Sequence, residues 1–300
     1  MKNIIFALTV LSLIACSKGG MEHDAMGTFE ATEIIVSAEQ TGKLMYFDAE
    51  EGTELTKGEQ VGLIDTVQLQ LRAMRLGVTK EVYASQRPDI NKQIAVTKQQ
   101  LEKAELEVKR YSALVRDNAA NRKQLEDAES SVRVLRRQLD AQMSQLNNTT
   151  GSLNRQMDAA EIERWQVVDQ LRKCRITSPI SGTVLEKYAE AGEYAVPGKP
   201  LFKIADVSDM TLRTYVTALQ LTSLKIGQQV RVYADLGEDD SREYKGVIEW
   251  IADKAEFTPK TIQTRDERAN LVYAVKVKVK NTDGMLKIGM YGEADFLSEK

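Results

Sequence analysis

The chain has 300 residues, enough for two or three small domains. Charged residues make up 28% and the formal net charge is −3, which argues against a nucleic-acid binder or a partner at an anionic membrane face. One His and two Cys leave little material for a metal centre or a nucleophile, and 6% aromatics suit coiled-coil surface better than a large globular core.

The first residues read as a targeting segment. Met1-Lys2-Asn3 is a short basic start and Ile4 to Leu11 is mostly apolar, a run too short to span a bilayer. Leu13-Ile14-Ala15-Cys16 fits a lipobox, in which a small residue precedes the cysteine to be lipidated. Residues 1–15 are therefore expected to be a lipoprotein signal peptide, with lipidated Cys16 as the first mature residue. The alternative is an ordinary cleaved signal peptide that contains a Cys. Residues 16–27, opening Ser17-Lys18-Gly19-Gly20, read as a flexible tether. With Cys16 lipidated, Cys174 has no internal partner, so it reads as a small apolar packing residue rather than half of a disulfide.

Residues 28–37 are expected to form one strand that joins a distant barrel. Residues 38–65 follow as a first half-motif: Thr41-Gly42-Lys43-Leu44, then Ala49-Glu50-Glu51-Gly52, then Lys57-Gly58. Its copy, residues 174–205, reads Ser181-Gly182-Thr183-Val184, Ala189-Glu190-Ala191-Gly192 and Pro197-Gly198. The offset never changes: 182−42, 192−52 and 198−58 all give 140. Glycines recurring between strands this short supply the turns of a compact sandwich, and neither half carries enough apolar surface to fold alone.

Between the halves, residues 66–173 take a helical period. Ile90, Ile94, Thr97, Leu101, Ala104, Val108, Tyr111 and Val115 are spaced alternately by four and three. Leu125, Ala128, Val132, Leu135, Leu139, Gln142 and Leu146 repeat the pattern. Asp117 to Asn121 is the turn of an antiparallel hairpin, with Asn121 as N-cap and Gln124 completing a capping-box pattern. Matched breaks are expected in the two arms, at Ser85-Gln86-Arg87-Pro88 and at Asn147 to Ser152, with Pro88 as the first residue of a new helix. At about 1.5 Å per residue the distal arm would span roughly 45 Å and the proximal arm about 25–30 Å. A globular bundle of unrelated amphipathic helices is the alternative.

Residues 206–297 are β-rich again, with strands at Met210–Val216, Gln229–Tyr233, Gly246–Ile251 and Val272–Val279. Val275, Val277 and Val279 alternate with Lys276, Lys278 and Lys280, the pattern of a strand with one wet face. The fold class is α+β: a split β-sandwich, a long inserted coiled-coil hairpin and a small C-terminal β-barrel. No Ser–His–Asp set or paired-carboxylate site stands out, so the chain does not read as an enzyme, and no cofactor or metal is expected.

This layout resembles the HlyD-type periplasmic adaptors, or membrane fusion proteins, over nearly the whole mature chain. The resemblance rests on the lipobox, the paired half-motifs around Ile180-Ser181-Gly182-Thr183-Val184, the hairpin, and Leu286-Lys287-Ile288-Gly289-Met290 as the closing barrel turn. Glu256-Phe257-Thr258-Pro259-Lys260-Thr261, followed by Leu271-Val272-Tyr273, is similar to the YbhG-like subgroup associated with ABC exporters. The resemblance implies that the sandwich is lipoyl-like and that the protein is an adaptor for efflux or secretion. It would link an inner-membrane exporter, ABC-type, to a TolC-type outer-membrane channel, as a ring of copies in the periplasm anchored by lipid, with the inner membrane as the role's natural site.

The family's tip motif, R-x3-L-x6-S, is matched by Arg110 and Leu114, with Asn121 in place of the serine. These three residues are expected to touch the channel. Arg110 could equally be a solvated coiled-coil charge, and Leu114 a seam residue. Phe257, Thr258, Pro259, Lys260 and Thr261 are expected in a pump-facing loop, for which a plain surface loop is the alternative. The chain ends about ten residues after Gly289-Met290, leaving little of the domain that follows the barrel in adaptors of RND pumps. A lipoyl or biotin carrier would need a modified lysine where the halves join, and the helical insertion occupies that connection. A membrane-anchored coiled-coil lipoprotein spacer with no transport role is the competing reading.

Overall fold

The computed structural model describes residues 23–237, 241–257 and 271–296. The expected signal peptide, Cys16, most of the tether and Thr258 to Thr261 lie outside them. The chain divides into two units: residues 39–43 and 63–175 hold the three long helices, and the rest holds most of the β-structure.

The expected single strand over 28–37 is instead two. β1 (Ala25–Glu30) belongs to the C-terminal barrel, and β2 (Glu33–Ser37) to a separate sheet. The repeat explains the division. The offset of 140 places the end of β2 on β6 (Arg175–Thr177), so each half-motif is preceded by its own strand.

Around β2 and β6 the halves build two four-stranded sheets. The first half supplies β3 (Gly42–Phe47), β4 (Glu54–Leu55) and β5 (Gln60–Ile64). The second supplies β7 (Gly182–Lys187), β8 (Tyr194–Ala195) and β9 (Pro200–Ala205). The bounds of β3 and β4, moved by 140, are those of β7 and β8. The sheet orders are β2-β9-β7-β4 and β6-β5-β3-β8, so each half lends its short strand to the other's sheet. The connecting hydrogen bonds come in matching pairs. Leu44 N–H donates to Glu193 O at 2.8 Å and Val184 N–H to Thr53 O at 3.0 Å. Gly52 N–H reaches Val184 O at 2.9 Å and Gly192 N–H reaches Leu44 O at 2.8 Å. Gly52 and Gly192 hold φ of 84° and 94°, where a Cβ is costly. Strand exchange is the physical reason for keeping both copies: a half alone would leave two edges open.

The helical unit contains α1 (Val67–Ser85), α2 (Ile90–Arg116) and α3 (Arg122–Lys173). α3 runs unbroken for 52 residues, about 78 Å at 1.5 Å per residue. The expected break at Asn147 to Ser152 is therefore absent. The inward residues Leu139, Gln142, Leu146, Thr150, Leu153 and Met157 are spaced 3, 4, 4, 3 and 4. The seam gains one residue there, a stutter that unwinds a coiled coil locally without ending the helix. Helix propensity is weak beside the packing of Leu146 and Leu153. The outgoing arm does break. Asp89 caps α2 by accepting from Lys92 N–H at 3.2 Å, so the helix starts at Ile90 and Pro88 lies before the cap rather than inside the first turn. Lys80 pairs with Glu161 at 3.1 Å, and buried Thr97 donates to Gln142 at 2.9 Å. This register sets the Pro88 break opposite Gly151, and α3 splints it.

A Cβ at Gly151 would meet only the far end of Arg155, at 3.6 Å. Gly151→Ala is accordingly expected to raise stability by about 0.5–1 kcal/mol. Urea titration checks this, and a loss of stability would show that the glycine is needed there.

The barrel comprises β10 (Asp209–Thr217), the short α4 (Ala218–Leu221), β11 (Gln229–Asp235), β12 (Ser241–Ile251), β13 (Glu256–Phe257), β14 (Leu271–Lys280) and β15 (Tyr291–Phe296). Pairing runs β10-β1-β15-β11-β12-β14, and β14 pairs back onto β10, closing six strands into a ring. Phe29, Leu212, Val232, Ile248, Val277 and Leu286 fill its interior. β13 extends the line of β12 along the start of β14.

Candidate functional site

The hairpin turn is built by two complementary caps. α2 ends in a Schellman motif: Ala119 N–H donates to Leu114 O at 2.8 Å and Asn118 N–H to Val115 O at 3.1 Å. Asn118 takes the left-handed conformation the motif needs, with φ 57°. α3 then opens with a capping box. Asn121 Oδ1 accepts from Lys123 N–H at 3.0 Å, and Gln124 Oε1 accepts from Asn121 N–H at 3.3 Å. Both helix ends at the turn are thus satisfied locally, which lets so exposed a turn keep one shape.

Arg110 and Leu114 lie one turn apart on α2 and share a face. Arg110 is 59% exposed, pairs with Glu107 and stacks its guanidinium 5.0 Å from the Tyr111 ring centroid. Leu114 is 36% exposed, at the edge of the seam. Asn121 lies across the turn. Its amide oxygen is used by the cap, and among the described residues its amide nitrogen has no partner. The structure therefore presents a held cation, a half-covered leucine and one free amide donor along a few turns. Residues 107–126 carry five basic and three acidic side chains, a net +2. Asn118, which fixes the turn, was legible in the sequence only as a member of it and not as its left-handed residue. Its signal was an Asn two residues after the last basic residue of a helix.

Of the expected pump-facing loop, Phe257 pairs with Leu271 in β13, and Glu256 accepts from Arg213 at 3.3 Å. Thr258, Pro259, Lys260 and Thr261 are outside the described residues. His23, the first described residue, is held on the barrel by Glu293 at 3.1 Å and Asp295 at 2.9 Å, against the Tyr233 ring at 4.6 Å. Cys174 is fully buried, and burial, followed by the nearby Asp65 charge, pushes its thiol up, which suits packing rather than reactivity. Among the described residues no helix is long and apolar enough to cross a membrane, and no cluster of His, Cys, Asp or Glu is arranged to hold a metal.

No family model matches the chain. It is 25% identical over 323 residues to a UPF0194 membrane protein of Yersinia enterocolitica, with 96% of each chain covered. It is 26% identical over 320 residues to a UPF0194 membrane protein of Citrobacter koseri, again with 96% of each covered. Among solved structures, MacA from Actinobacillus actinomycetemcomitans aligns with a TM-score of 0.56 at 22% identity, over 93% of this chain and 79% of that one. A membrane fusion protein of Streptococcus pneumoniae aligns with a TM-score of 0.51 at 16% identity, over 92% and 98%. The chain thus shares the fold of MacA and of a membrane fusion protein: a long helical hairpin set into a β-domain, with a small barrel.

Proposed function

We propose that the chain is a periplasmic adaptor linking an inner-membrane exporter of the ABC type to a TolC-type outer-membrane channel. One observation carries the reading. A hairpin whose α3 is about 78 Å long is inserted in sequence between two halves that share their strands. Likeness in fold to a membrane fusion protein supports the same role. In this reading the two interlocked sheets are a lipoyl-like domain used as structure, without a prosthetic group or catalysis. Arg110, Leu114 and Asn121 meet the channel, and the segment Phe257–Thr261 faces the pump. Cys16 carries lipid and holds a ring of copies at the inner membrane.

Affinity capture of the full chain from membranes tests the proposal. Capture is expected to bring down an ABC-type ATPase and an outer-membrane channel. A purified lipoprotein with neither partner would support the spacer reading. Recovery with a proton-driven pump would overturn the ABC assignment alone.

A further inference from the structure

The leading end of β1 is fastened to the barrel by side chains as well as by its ladder. His23 is the only histidine in the chain. Its side chain is 10% exposed and lies against the Tyr233 ring of β11. Nδ1 faces an Asp295 carboxylate oxygen at 2.9 Å, and Nε2 faces a Glu293 carboxylate oxygen at 3.1 Å. Next in the chain, the Asp24 carboxylate accepts from Phe296 N–H at 2.8 Å, and Asp24 O accepts from the Gln220 amide of α4 at 2.6 Å. Met26 O then accepts from the Thr214 hydroxyl at 2.8 Å. These bonds hold the start of the strand that closes the ring between β10 and β15.

Proton count makes the first of these fastenings conditional. An ionised carboxylate only accepts, so each ring nitrogen must bring a proton, and an imidazole carries two only as the imidazolium. A neutral ring would turn a bare lone pair towards one of the two carboxylates, and the covered ring has little room to turn to water instead. The charges around it favour the cation. On the outward side, β15 carries Tyr291, Glu293 and Asp295, and β11 carries Arg231, Tyr233 and Asp235. β12, paired with β11, carries Glu243 opposite Tyr233 and Lys245 opposite Arg231. With Asp24, five carboxylates on these elements stand against two cations.

We infer that His23 is a pH-sensitive clasp, which as the imidazolium fastens the leading end of β1 to β11 and β15 and on losing a proton lets that end go. The clasp is whole in mild acid, where an imidazolium meets ionised carboxylates. It loosens as pH rises through the range in which histidine titrates, about pH 6 to 8. It loosens again below about pH 4, where carboxylates take up protons. In the adaptor reading the pull of a lipid-anchored tether reaches the barrel at this point, but the clasp does not depend on that reading.

Hydrogen exchange of the full chain, corrected for the intrinsic pH dependence of amide exchange, tests the clasp. Between about pH 5.5 and about pH 8.5, peptides spanning 23–30 are expected to lose roughly threefold or more of their protection. Peptides spanning β14 should stay level and report that the barrel is intact. His23→Gln can bond but does not titrate, so its profile is expected to be flat. Glu293→Gln sets an amide donor against the ring nitrogen that loses its proton, so a neutral ring is satisfied and the strand should stay protected at both ends of the range. A level profile in the unaltered chain, the same fall in His23→Gln, or a fall in Glu293→Gln as steep as in the unaltered chain would each overturn the inference. Protection is read without reference to pump, channel or lipid, so failure here leaves the adaptor reading untouched, and loss of both captured partners leaves the clasp untouched.

Discussion

Phe202→Ala is expected to lower the stability of the β-unit by about 3–5 kcal/mol. Phe202 is fully buried in β9, and its ring lies 6.1 Å, centroid to centroid, from Phe47 in the opposite sheet. The repeat makes this pair unusual. The counterpart of Phe202, 140 positions earlier, is Gly62, where a Cβ would come within 2.8 Å of the Phe47 ring. The counterpart of Phe47 is Lys187, whose ammonium sits 5.8 Å over that ring and pairs with Glu50 and Glu190. One ring from each half thus fills the space between the sheets, from positions the repeat does not equate. Gly62 cannot fill the hole that alanine would leave. Hydrogen exchange of peptides spanning 182–205 reads the loss, and a change below about 1 kcal/mol would contradict the packing described.

Arg110→Glu is expected to abolish channel engagement while leaving the arm folded. The substitution removes one exposed pair with Glu107, so stability should move by no more than about 0.5 kcal/mol. A charge reversed within a buried contact typically costs about 2–5 kcal/mol, which corresponds to a loss of roughly thirtyfold or more in affinity. Export and channel capture should fall together at normal protein level and normal helix content. Unimpaired export would return Arg110 to the role of a solvated charge.

The repeat was legible because its glycines are demanded by backbone geometry, and those demands survive drift of the surrounding side chains. Strand exchange was not legible, since β4 and β8 are two residues each and nothing local says which sheet they join. Of β15 only the entering turn at Ile288-Gly289-Met290 was legible, because Gly292 and Glu293 interrupt the strand's apolar alternation, although a Cβ at Gly292 would strike Phe29 at 2.6 Å. The supposed break near Gly151 came from reading propensity where packing decides. Pro88 was a sound signal because it removes a backbone donor whatever the packing. At the turn, the family resemblance pointed to Arg110, Leu114 and Asn121, while the left-handed Asn118 left only one trace, an Asn two residues after the last basic residue of the helix.

The proposed adaptor role rests on direct contact between the hairpin turn and an outer-membrane channel. A photo-crosslinking amino acid at Leu114, in the full chain in living cells, tests it. Irradiation is expected to yield one major adduct with an outer-membrane channel protein, and Arg110→Glu in the same chain should remove it. Adducts with inner-membrane proteins alone, or none from a chain that still supports export, would contradict it.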